Sequence, residues 1–175
     1  MWDRIAKSTR LGAVLDAALR EAAQQGAGRV GTDHLLLGLL NEPGSVPARA
    51  LAVTTGQART ALDLLDHTAL AALGLDLDLH AIPAPSLRPG RMPLSRNGVT
   101  SNAWTALRRA VDATGIKTRH QAPNHLLRAL LSLQPPDPAN QLLTQLGIDP
   151  ATTLERLTEL ENRYPSGQLP ADAGT

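Results

Sequence analysis

Thr32-Asp33-His34-Leu35-Leu36-Leu37-Gly38-Leu39-Leu40 returns later in the chain as Pro123-Asn124-His125-Leu126-Leu127-Arg128-Ala129-Leu130-Leu131. The offset of 91 residues persists downstream, where Ala48 falls on Ala139, Leu51 on Leu142 and Gly56 on Gly147. Upstream, Ala18-Leu19-Arg20-Glu21-Ala22 matches Ala106-Leu107-Arg108-Arg109-Ala110 at an offset of 88. A three-residue difference in one loop reconciles the two offsets. Self-similarity at a fixed offset is the mark of a duplicated structural unit, so the chain reads as two tandem copies of one helical unit.

Periodicity supplies the elements. Leu11, Val14, Leu15, Ala18, Leu19 and Ala22 form one helical stripe, with Ser8 or Thr9 available as N-cap and Gly26 and Gly28 as the stop. Thr32 is the expected cap of a second helix, which is apolar nearly all round and therefore expected at the centre of its unit. Pro43 and Gly44 end it; a third helix is expected over 46–53, and a fourth after Gly56 carries Leu62, Leu65, Leu70 and Leu73. Residues 74–99, with Pro83, Pro85, Pro89 and Pro93, read as a linker between the units. The second unit opens at Thr100 or Ser101 with the stripe Trp104, Leu107 and Val111. Pro123, Pro138 and the pair Asp149-Pro150 mark helix starts, and Leu154, Leu157 and Leu160 line the last helix. The expectation is an all-α fold: one unit over 1–73, a second over 100–163, eight helices about a pseudo-twofold axis, and a disordered polar tail over 164–175.

Composition narrows the function. The 175 residues are 42% hydrophobic but only 2% aromatic, with no Phe, so the core must be Leu, Ala and Val, which suits closely packed helices. A net charge of +1 gives no strong positive field for general nucleic-acid binding. Arg88, Arg91, Arg96, Arg108 and Arg109 leave a helix-turn-helix regulator as an alternative reading, although an adjacent pair such as Arg108-Arg109 also suits a solvated helix face. The absence of Cys excludes disulfides, thiol nucleophiles and zinc–sulfur sites, and suits a reducing cytoplasm. No stretch approaches the about 20 apolar residues of a membrane helix, and the N-terminus lacks a signal-type apolar run.

The duplicated Gly31-Thr32-Asp33-His34 line with its Leu-rich continuation resembles the Clp N-terminal domain, or Clp repeat, of ClpC-, ClpA- and ClpB-type unfoldase subunits. Those motifs usually read Gly-Thr-Glu-His and occur twice. Met1-Trp2-Asp3-Arg4-Ile5 also looks like the ClpC start, and the similarity spans roughly residues 1–163. The resemblance implies a domain that captures substrates and adaptors. An ATPase phosphate loop needs a lysine after glycine, and neither Lys7 nor Lys117 follows one, so the resemblance is to the N-domain standing alone.

The family's phosphoarginine pockets place the motif glutamate against the guanidinium, a planar pairing of charge-assisted hydrogen bonds. Here Asp33 holds the first of those positions with a shorter reach, and the neutral Asn124 holds the second. Both also suit a helix start. The resemblance further implies a groove near Trp2 and Ile5, with Val99 or Leu94 at the symmetry-related position, that binds adaptors or cyclic peptide antibiotics. His34 and His125 are expected as hydrogen-bonded, buried imidazoles, while His67, His80 and His120 lack paired metal-ligand spacing. The expected function is non-catalytic: an adaptor, regulator or decoy in Clp-dependent proteolysis that binds proteins or peptides. Self-protection by sequestering Clp-targeting cyclic peptides is the alternative. No metal or cofactor, no nucleic-acid or membrane partner, and a cytoplasmic monomer are expected.

Overall fold

The computed structural model describes residues 10–74 and 98–166. Among them lie eight α-helices: α1 (Leu11–Gln24), α2 (Thr32–Leu40), α3 (Val46–Leu51), α4 (Thr55–Ala72), α5 (Ser101–Asp112), α6 (Ala122–Leu131), α7 (Pro138–Gln145) and α8 (Pro150–Arg163). A 3-10 helix, Ile116–Gln121, precedes α6. The described residues form no strand; Val30 and Val99 make an isolated parallel bridge. The all-α class follows.

Local chemistry sets most helix ends. Ser45, Thr54, Thr100, Asp137 and Asp149 each accept a hydrogen bond from an amide in the first turn of the helix that follows. Thr54 and Gln57 complete a reciprocal capping box, which starts α4 at Thr55 and leaves Gly56 inside its first turn. Pro138 and Pro150 occupy the first helical position, where a missing N–H costs nothing. Ala52, at φ 56°, ends α3 earlier than the expected 46–53. Ser8 and Thr9 lie outside the described residues.

Helices α2 and α6 occupy the centre. In α2, Leu35, Leu36, Leu37, Leu39 and Leu40 are all buried, as an all-round apolar helix requires. Gly38 lets α1 approach closely: a Cβ there would stand 2.5 Å from the Val14 carbonyl oxygen and 3.2 Å from the Ala18 Cβ. Helix α1 packs mainly on α2 and α5 mainly on α6, while α3 lies against α8 and α4 against α7. Glu21 of α1 is buried and accepts a hydrogen bond from Arg59 Nε of α4 at 2.9 Å. Arg128 of α6 pairs with Glu161 of α8 in the other half.

Three expectations change. Thr32 is the first residue of α2 rather than its cap. Its hydroxyl instead donates to Asp137 Oδ1 at 2.7 Å, and Asn102 Nδ2 donates to Asp137 Oδ2 at 2.8 Å. Asp137 also accepts from the Ala139 amide at 3.0 Å, so one carboxylate, 5% exposed, joins the starts of α2 and α7 to α5. Second, the expected burial of α4 stops at Leu62; Leu65 and Leu70 are half-buried and Leu73 is 75% exposed. Third, two residues read as linker and tail take part in the packing. Val99 belongs to the core, and Tyr164 packs against it. Residues 75–97 and 167–175 lie outside the description.

Asp137→Ala should lower unfolding stability by about 2 kcal/mol, because it strands the buried Thr32 hydroxyl, releases the exposed Asn102 amide and removes a cap. Gly38→Ala should cost about 2 kcal/mol by overpacking α1 against α2. Gly28→Ala, at a site with open space around the added Cβ, should change stability by less than about 0.5 kcal/mol. Urea unfolding followed by circular dichroism measures all three.

Candidate functional site

The first copy of the duplicated motif folds back on itself at the start of α2. The Gly31 amide donates to His34 Nδ1 at 2.9 Å, so that nitrogen is an acceptor and Nε2 carries the proton donated to Gln25 Oε1 at 2.8 Å. The imidazole thereby ties the α1–α2 turn to the first turn of α2. The Asp33 side chain, 13% exposed, lies with Oδ1 3.3 Å from His34 Nδ1. A Cβ at position 31 would overlap that oxygen, so the Asp33 side chain would have to turn aside. Burial pushes the Asp33 carboxyl up, but hydrogen bonding to and the charge of His34 in its imidazolium form, in which Nδ1 donates instead of accepting, together with the amides of Asp33 and His34, outweigh it and hold it below the usual value.

The surroundings of Asp33 are acidic. The Asp66 carboxyl on α4 is raised, first by partial desolvation and then by the negative charges of Asp33 and Asp63. A phosphate arriving here would meet carboxylates where it needs donors or cations.

The second copy is built differently. Asn124 is 2% exposed, and its Nδ2 has no hydrogen-bond partner. Its buried amide offers no surface to a guanidinium. His125 is half-buried rather than buried, and burial, then the charge of Arg128, lowers its pKa against the opposing effect of Glu161. The expectation of two equivalent buried imidazoles therefore applies to His34 alone. The 3-10 helix before α6 replaces the short turn that brings Gln25 to His34.

Of the groove residues, Trp2, Ile5 and Leu94 lie outside the described residues. Val99 is 2% exposed and packed in the core. His80 is also outside the description, and among the described residues no group of His, Asp and Glu is placed to hold a metal ion. No described helix is long and apolar enough to cross a membrane.

A feature that periodicity did not single out is a cavity of about 890 Å³ between the α3–α4 turn and the C-terminal end of α8. Val53 and Leu160, both half-buried, give it an apolar floor, and the buried Leu40 borders it. Arg49, Arg156 and Arg163 line it with no acidic residue among them, and Tyr164 closes one side. Arg156 Nη1 donates to the Ala50 carbonyl at 2.9 Å, tying α8 to α3. The sequence signal was present in α8, where 156, 160 and 163 share a helical face just before Tyr164. The opposite wall comes from residues about a hundred positions earlier.

No known family model matches this chain, and no curated protein matches it significantly.

Asp33→Asn should lower stability by about 1 kcal/mol at neutral pH, through loss of a carboxylate in the first turn of α2. A depressed folded pKa stabilises above the unfolded value and is lost as pH falls through the folded one. The difference between wild type and variant should therefore close as pH drops from 3.8 downward, as chemical denaturation across that range would record.

Proposed function

We propose that this chain is a non-catalytic binding module of the Clp N-terminal-domain type, formed by two copies of one four-helix unit, that captures protein or peptide ligands in Clp-dependent proteolysis. The observation that carries the reading is that helix pairing respects the sequence duplication. Under the offset read from the sequence, α1 to α4 correspond to α5 to α8. The contact of α3 with α8 then has its counterpart in α7 with α4, and that of α2 with α7 in α6 with α3. Both copies of the His-Leu-Leu line open the central helices, α2 and α6. This exchange supports a pseudo-twofold arrangement of Clp repeats.

The roles of adaptor, regulator or decoy share one requirement, a surface that recognises a chain rather than transforms it. Phosphoarginine is not the ligand this reading favours. Asp33 is enclosed among acids, and Asn124 is buried without charge. The divergence of the two positions supports unequal roles for the two halves.

Affinity capture with the full chain as bait, from cells that contain a Clp unfoldase, tests the proposal. Enrichment of unfoldase subunits or of substrates that accumulate when the unfoldase is disabled is expected. Capture that returns neither class would overturn it.

A further inference from the structure

We propose that the cavity between the α3–α4 turn and α8 docks an acidic segment of a protein partner, with an apolar side chain on the floor and carboxylates against Arg156 and Arg163. The inference goes beyond the Clp assignment, because it uses neither the duplicated motif nor the region around Trp2.

Charge placement is the first argument. Helix α8 separates its ionic groups: Arg156 and Arg163 line the cavity, whereas Glu155 and Glu159 do not. Glu161 is engaged with Arg128 on α6. Among the described residues neither Arg156 nor Arg163 forms an ion pair. Two guanidinium groups beside an apolar floor, on a protein of net charge +1, make a local positive site rather than a general positive field.

The second argument is the kind of anion. A small inorganic ion would leave most of about 890 Å³ unfilled and would gain nothing from Val53 and Leu160. A leucine-sized side chain placed there gains burial, while flanking carboxylates accept the forked N–H groups of arginine. The α4 N-terminus in the cavity wall adds little attraction of its own. Thr54 Oγ1 already accepts the Gln57 amide, and Gln57 Oε1 accepts the Thr54 amide. Recognition therefore rests on the arginines and the floor.

Fluorescence anisotropy with a short labelled peptide of alternating glutamate and leucine tests the site, beside a lysine–leucine counterpart and inorganic phosphate as competitor. The acidic peptide should bind the full chain saturably, weaken as salt rises, and bind Arg163→Glu about tenfold less tightly. Arg163 is exposed, so the variant should keep the wild-type circular dichroism; Arg156→Gln should weaken binding too, but it also removes the tie to Ala50. Tyr164 is the chain's single tyrosine, and its ring resonances should shift on binding. The proposal is overturned by no saturable binding, by equal binding of the lysine peptide, by unchanged affinity in Arg163→Glu, or by unmoved Tyr164 resonances. Phosphate displacing the peptide at equal concentration would make this an inorganic-anion site and overturn it as well.

Discussion

The Asp137 carboxylate is where the two halves of the molecule are held in register. It caps α7 through the Ala139 amide, takes the Thr32 hydroxyl from the start of α2, and takes the Asn102 amide from α5. Each contact alone is an ordinary hydrogen bond, worth about 1 to 3 kcal/mol when the acceptor is charged. Their value lies in convergence on one buried group, where losing the anion would leave several donors without partners at once. Helix α2 can be apolar on nearly every face because the polar groups at its start are satisfied by such links rather than by water.

The composition of the core follows from the same geometry. With no Phe in the chain, close helix approach rather than aromatic bulk fills the interior. Gly38 over Val14 and Ala18 is the tightest described example. Ala103, Ala106 and Ala110 give α5 a similarly shallow buried face in the other half. Ion pairs then join different helices in each half: Glu21 to Arg59 between α1 and α4, and Arg128 to Glu161 between α6 and α8. The duplication thus shares a packing plan without sharing its electrostatic links.

What could be read from sequence divides along the same line. Helix starts at Thr100 and Asp149 were legible because the capping side chain and its amide lie within three residues, and Pro138 marked the start of α7. The role of Thr32 was not, because its partner lies 105 positions away. His34 and His125 look equivalent in sequence, yet the acceptor for His34 is supplied by a turn that the second half replaces with a 3-10 helix. The leucines of α4 run on to Leu73, but burial fades after Leu62 and Leu73 is 75% exposed, because periodicity alone cannot supply a neighbour. The arginine-lined cavity was illegible for a related reason: α8 carries one wall, and its other wall is distant in the chain.

The short contact between Val30 and Val99 has a consequence for how this molecule can change over time. Val30 donates to the Gly98 carbonyl and accepts from the Thr100 amide, both at 2.9 Å, and Arg29 Nη2 donates to the Val99 carbonyl at 2.6 Å. The point at which the chain begins its second half is therefore anchored to the first half, independently of the stretch that connects them. A change at Arg29 or Val30 would have to be matched at 98–100, so at this point the two halves cannot drift independently.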